Sequence, residues 1–192
     1  MHIGVDLDNV LNNHYVEWIN WHNTLSKQQF ALEDIQDHDL SKLTGRTHQE
    51  EIAMMRIFEQ SVYFSQLVPL PGAREGTELL AHSHRLTVVT ARSLTIQPQT
   101  EIWIGRYFPE RFSEIKFTNQ AGSNGHKTTK GEVCRKRGIE LLIEDSREYA
   151  EECHQAGIPV LLLDYPWNQG NLPDRIYRVR SWEDIVATIL AR

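Results

Sequence analysis

Cysteine is scarce: the 192 residues hold two, Cys134 and Cys153, with no Cys-x-x-Cys pair and no Cys/His zinc spacing. That excludes a disulfide scaffold and a zinc module, and both residues are expected as reduced thiols on helices. Long hydrophobic runs are missing as well. No stretch approaches the ~20 apolar residues that span a membrane. The first residues, Met1-His2-Ile3-Gly4-Val5-Asp6, lack a charged region followed by a long apolar one, so no signal peptide is expected. Positive charge is short, with 20 Lys+Arg against 26 Asp+Glu and a net charge of −6. A nucleic acid polymer needs a clustered basic surface, so it is a poor candidate partner. A small phosphorylated substrate is not excluded, because one metal ion and one or two local cations can hold a phosphate. Internal repeats and low-complexity tracts are absent. These absences together lead to the expectation of a cytoplasmic protein with no membrane segment.

What is present is a globular composition, 40% hydrophobic and 24% charged, which argues against disorder. The length predicts one domain with room for a small insert. It allows roughly 70% of the unfolded surface to be buried, so neither disulfides nor a structural metal is needed.

Patterning gives an alternation of strands and helices. Ile3 to Leu7 is a short apolar run ending in acids, as a buried strand would. Tyr15, Trp18, Ile19, His22 and Leu25 recur at helical spacing over residues 13–26. Thr47 and Glu50 form a capping box ahead of a helix over 48–60. From residue 71 the chain alternates regularly. Strands are predicted at Arg85 to Ala91, Glu114 to Thr118, Leu141 to Ile143, Val160 to Leu163 and Ile176 to Val179. Helices lie between them. Gly138 and Gly157 are placed to end helices, and Ser146 and Ser181 to start them. This rhythm predicts an α/β fold with a parallel sheet and helices on both faces. Residues 12–70 break it and look helical throughout. The expected organisation is a core of residues 1–11 and 71–192, with 12–70 as a small helical cap inserted after the first strand.

Ligands of parallel α/β sheets bind beyond the carboxyl ends of the strands. Asp6, Asp8 and Asn9 follow the first strand, Thr90, Ala91 and Arg92 the second, and Glu144 and Asp145 the Leu141–Ile143 strand. Lys127 and Lys130 precede the helix that leads to those last acids. Converging carboxylates repel one another unless a cation joins them, and oxygen-only ligands beside a phosphate point to Mg²⁺. One carboxylate can attack phosphorus, a second can move the leaving group's proton, and a threonine and a lysine can offset charge on the transferring oxygens. Arg92 points into the same mouth, toward substrate phosphate or simply the surface. Trp18, Trp21 and Phe30 offer flat faces to a nucleobase, although aromatics at helical spacing also serve as core.

These residues resemble the motifs of the haloacid dehalogenase (HAD) superfamily. Val5-Asp6-Leu7-Asp8-Asn9-Val10-Leu11 is similar to its first motif and Val88-Val89-Thr90-Ala91 to its second. Lys130, opening a helix, is similar to its third, and Leu142-Ile143-Glu144-Asp145-Ser146 to its acidic fourth. The helical insert followed by Pro69-Leu70-Pro71-Gly72-Ala73 and Val89-Thr90-Ala91-Arg92 resembles the 5′(3′)-deoxyribonucleotidase family within it. The resemblance implies a HAD-like Rossmannoid sheet and a Mg²⁺-dependent phosphatase working through an aspartyl phosphate. It implies Asp6 as nucleophile and metal ligand, and Asp8 as acid/base that binds metal through its backbone carbonyl. Thr90 would bind the phosphoryl group and Lys130 would stabilise its charge, with Lys127 the alternative lysine. Asp145 would complete the metal site, with Glu144 beside it. Asn9 stands where many relatives have glycine, and asparagine tolerates left-handed backbone better than most residues.

The expected substrate is a (deoxy)nucleoside 5′-monophosphate. Alternatives are a phosphatase or phosphomutase for another small metabolite, or a non-catalytic binding protein on the same scaffold. A dehalogenase would not need Asp8. A two-component receiver has its acids, threonine and lysine in a different order. The oligomeric state is not legible.

Overall fold

A computed structural model describes residues 1–118 and 128–191. Among them, strands β1 (His2–Val5), β2 (Arg85–Thr90), β3 (Glu114–Phe117), β4 (Leu141–Glu144), β5 (Val160–Leu163) and β6 (Ile176–Val179) form one sheet in the order β3-β2-β1-β4-β5-β6. Every neighbouring pair is parallel. Connections leave β1 in both directions, so β1 and β4 flank the point where strand order reverses, and a crevice opens beyond their carboxyl ends.

The strands are apolar on both sides because both faces are covered. Ile3, Val5, Leu141, Ile143 and Leu161 pack into one core layer, and Val89, Leu142, Val160 and Leu162 into the other. Helices α1 (His14–Leu25), α2 (Ser41–Thr44), α3 (His48–Phe58) and α4 (Val62–Ser65) lie between β1 and β2. Helices α5 (Ala73–Ala81) and α6 (Gln97–Tyr107) flank β2, and α7 (Lys130–Arg137) and α8 (Arg147–Gln155) flank β4. Helix α9 (Trp182–Leu190) follows β6. Cys134 and Cys153, on α7 and α8, are buried free thiols.

The helical insert shares the main core. Trp18, Trp21, Ile35, Phe58 and Phe64 belong to the same apolar cluster as Ile3 and Val5. Its base is pinned by backbone hydrogen bonds from Leu70 to Leu11 (2.9 Å) and from Asn13 to Val68 (3.2 Å). The Thr47–Glu50 capping box forms as expected. Gly138 and Gly157 adopt φ values of 66° and 83°, which favour glycine. Ser181 caps α9 by accepting from the Asp184 amide. Ser146 is a correction: it precedes α8, but its side chain makes no capping bond and its buried hydroxyl has no hydrogen-bond partner. The carboxylate of Glu144 takes the Ser146 amide instead, at 3.1 Å.

Candidate active site

Sheet geometry assembles the site. Asp6 follows β1 directly, and its amide continues the ladder to Ile143 at 2.9 Å, which carries its side chain to the tip of β4. Lys130, the first residue of α7, is 1% exposed and reaches across to donate to Asp6 Oδ1 (2.5 Å) and Glu144 Oε2 (2.8 Å). Its ammonium lies 4.5 Å from the ring centre of Tyr149, one turn into α8. Burial opposes its charge, but Asp6 and Glu144 outweigh that and hold Lys130 protonated, well above its ordinary range. Lys127, the alternative lysine, lies outside the described residues.

Asp145 is held on three sides. Trp167 Nε1 donates to Oδ2 (3.0 Å), Asn9 Nδ2 to the same oxygen (3.2 Å), and Asn168 Nδ2 to the backbone carbonyl (2.7 Å). Asn9 sits at φ 58°, and its Oδ1 accepts the Tyr15 amide at 2.8 Å. The positive φ that asparagine tolerates is thus used to turn the chain from β1 into α1. Glu144 spends Oε1 on the amides of Asp145 and Ser146, both at 3.1 Å.

Asp8 faces another partner. Arg92 donates to it with two nitrogens, at 2.9 and 2.6 Å, and Asn12 adds a bond at 3.1 Å. Burial opposes the charge of Asp8, yet the Arg92 guanidinium and its hydrogen bonds hold the carboxyl well below the usual range. Arg92 itself is anchored on Thr100 Oγ1 at 3.1 Å and over the Phe64 ring. Buried Thr90 ends β2, and its hydroxyl accepts the Arg92 amide at 3.2 Å.

Carboxylate oxygens of Asp6, Glu144 and Asp145 lie within 4.8 Å of one another in buried surroundings. Burial and the neighbouring acids push all three upward, Asp145 to about 7. Four carboxylates (Asp6, Asp8, Glu144, Asp145) face two cations, Lys130 and Arg92, leaving two negative charges that one divalent ion would cancel. The donors are all oxygens, so the residues fit a hard cation such as Mg²⁺.

These groups open into a cavity of about 760 Å³, also lined by His14, Tyr15, His38, Ile52, Met55 and Tyr149. The structure brings Asp6, Asp8, Asn9, Thr90, Arg92, Lys130 and Asp145 to it. Trp18 and Trp21 are not brought there. They are 0% and 5% exposed, and Trp21 packs on Phe58 while Trp18 stacks on His22. The stacking expectation for them is corrected by packing, because the apolar stripe of α1 turns onto the core. Phe30 packs near His22. Sequence reading missed Tyr149, Trp167 and Asn168. A signal existed for the last two, which follow β5 at the same sheet edge.

Sheet order and acid placement define a member of the HAD superfamily. The chain matches, over residues 1–192, the family model described as 5′ nucleotidase, deoxy (Pyrimidine), cytosolic type C protein, and it belongs to that family. It is a phosphoric monoester hydrolase. It is 29% identical over 189 residues to "Putative nucleotidase YqfW" of Bacillus subtilis, covering 97% of this chain and 92% of that protein. It is 22% identical over 189 residues to a nucleotidase of Clostridium acetobutylicum, covering 98% and 93%. Among solved structures, a haloacid dehalogenase-like hydrolase of Streptococcus pneumoniae superposes with a TM-score of 0.72 at 13% identity, covering 98% of this chain and 97% of the other. That last likeness establishes the fold.

Proposed function

We propose that this chain is a Mg²⁺-dependent nucleotidase that hydrolyses nucleoside 5′-monophosphates through an acyl phosphate on Asp6. The observation that carries the reading is the buried meeting of Asp6, Lys130, Glu144 and Asp145 at the mouth of one cavity. Family membership supports the nucleotide as substrate.

Asp6, Asp145 and the backbone carbonyl of Asp8 would hold Mg²⁺, with Glu144 behind them. When bound, the ion supplies charge neutralisation for the carboxylates and the phosphoryl oxygens. Lys130 orients Asp6 through their 2.5 Å hydrogen bond, opposes the upward push of burial on its carboxyl, and would offset charge on the incoming phosphoryl group. An Asp6 oxygen attacks phosphorus, the bond from phosphorus to the ester oxygen breaks, and the departing alkoxide takes a proton from the Asp8 carboxyl. Asp8 then accepts a proton from the water that attacks the phosphoaspartate, which releases orthophosphate and restores Asp6. The Arg92 pair keeps Asp8 ionised, the form that the second half needs. For the first half, a phosphate dianion entering beside Arg92 competes for the guanidinium and frees Asp8 to carry the proton. Thr90 hydrogen-bonds a phosphoryl oxygen. Residues 12–70 act as the cap that covers the mouth and selects the alcohol portion.

Purified protein is to be given Mg²⁺ and a panel of nucleoside monophosphates while orthophosphate is measured. Acid-quenched samples are digested and weighed by mass spectrometry. Release of phosphate with a phosphorylated peptide containing Asp6 is expected. Turnover with phosphate trapped on another residue would overturn the mechanism, and turnover of other monoesters alone would overturn the substrate.

A further inference from the structure

The catalytic end of the cavity is neutral once one divalent cation is counted, but the rest of its lining is not. Asp37, Asp39, Glu51, Glu59, Glu148 and Glu152 line it from the insert and from α8. Against them, among the described lining residues outside the catalytic group, stands one lysine, Lys42, and it is paired with Asp37. Arg46, behind the wall, reaches Glu51 at 3.3 Å. Glu152 takes the Lys130 amide at 3.2 Å, and burial pushes its carboxyl upward. The carboxylates of Glu59 and Glu148 make no hydrogen bond or ion pair among the described residues.

Two buried side chains on this lining each leave one polar atom without a partner. Glu51 is 6% exposed, and its Oε1 accepts no hydrogen bond. His14 is 7% exposed; its Nδ1 is buried without a partner. Burial holds the His14 ring neutral, with its pKa lowered to about 4. A buried polar atom left unpaired costs about 1–3 kcal/mol, and both residues belong to the cavity lining, where a small side-chain rotation on binding would bring these atoms to a ligand. A carboxylate oxygen can only accept, and a neutral imidazole suits a hydroxyl or an amine.

We propose that this cavity selects phosphate monoesters whose alcohol portion is uncharged and rich in hydrogen-bond donors, and that it rejects substrates carrying a second anion. The proposal rests on the phosphatase reading above and deepens it. Nucleoside monophosphates and polyol phosphates meet the rule. Nucleoside bisphosphates and phosphorylated carboxylic acids break it, because their second charge faces the acidic lining.

The test compares kcat/KM, with Mg²⁺ at low ionic strength, in two substrate pairs. One pair is a nucleoside 5′-monophosphate and its 3′,5′-bisphosphate. The other is glycerol 2-phosphate and 2-phosphoglycolate, which contains no nucleoside. The member of each pair that lacks the second charge is expected to be favoured by roughly 5- to 30-fold, from one or two unit charges about 8 Å away at an effective dielectric near 40. Added salt should narrow the ratio. In Glu59→Gln and Glu148→Gln each ratio should fall about 5-fold per charge removed. Ratios near one, or ratios that neither variant nor salt moves, would overturn the proposal. Discrimination in the glycerol pair with poor nucleotide turnover would uphold the charge rule and sink the nucleotide substrate. If no ester is hydrolysed, the phosphatase reading fails, and the dissociation constants of the same compounds by calorimetry decide the charge rule.

Discussion

The cavity has two walls built on different principles. The wall at the tips of β1, β2 and β4 takes its chemistry from positions that the sheet dictates. Asp6, Thr90 and Asp145 each stand where a buried strand stops, and their backbones are fixed by ladder bonds such as Asp6 to Ile143 at 2.9 Å. The opposite wall comes from short helices between residues 12 and 70, joined by irregular chain. Its side chains are placed by packing against one another and by local caps. Opposite charges on the first wall are matched to within one divalent ion, whereas the second is left acidic. A scaffold that must perform one reaction on varied esters keeps the first wall constant in type and lets the second decide what enters.

The strongest challenge to this contrast is Asp6→Asn. It removes the nucleophile and a metal ligand, so phosphate release should fall by roughly 10⁴-fold or more. Circular dichroism and the melting temperature without metal should stay unchanged or rise, because one of three crowded acids is gone. Retained turnover on any substrate would remove Asp6 from the reaction.

Next in size is Lys130→Ala. It strands Asp6 and Glu144 as buried charges, a loss of about 3–5 kcal/mol read from urea unfolding, together with most activity. Lys127→Ala should cost far less in both measurements. If Lys127→Ala cost more, the lysine that stabilises the phosphoryl charge would be the other one.

The first wall was legible in the sequence because a strand's end is a fixed address. An apolar run that stops in acids says both where the side chain is and that it faces the sheet edge. The sheet order itself, and the pairing of Asp8 with Arg92, were not legible: they depend on contacts between residues 84 positions apart. The second wall was misread at Trp18 and Trp21. Helical spacing specifies which residues share a stripe, not whether the stripe faces a cavity or a core. Packing gave the stripe to the core and left the polar side chains of His14, Asp37 and Glu59 on the lining.

Trp18→Ala sharpens that point. Deleting a fully buried indole should cost about 3 kcal/mol in unfolding free energy. It should leave unchanged the ratio of kcat/KM for a nucleoside monophosphate over p-nitrophenyl phosphate, measured well below the melting temperature. A drop confined to the nucleotide would return Trp18 to the substrate.

The comparison that probes the first wall alone is the pH dependence of stability without metal. Burial, reinforced by neighbouring acids, raises the carboxyls of Asp6, Glu144 and Asp145, the last to about 7 from an ordinary value near 4. Between those values the unfolded chain has released protons that the folded chain still holds. Stability, and the melting temperature with it, therefore falls as pH rises from about 4.5 to about 7.5. Asp8 runs the other way: its carboxyl is depressed by Arg92, so its contribution is intact across this window and is lost only in stronger acid. Mg²⁺ needs the ionised acids, so the stabilisation it gives should grow over the same window. Thermal melts in chelator and in millimolar Mg²⁺, taken every half pH unit, read both trends. A flat chelator curve together with a pH-independent Mg²⁺ shift would mean that these three carboxylates are not the group that holds the ion.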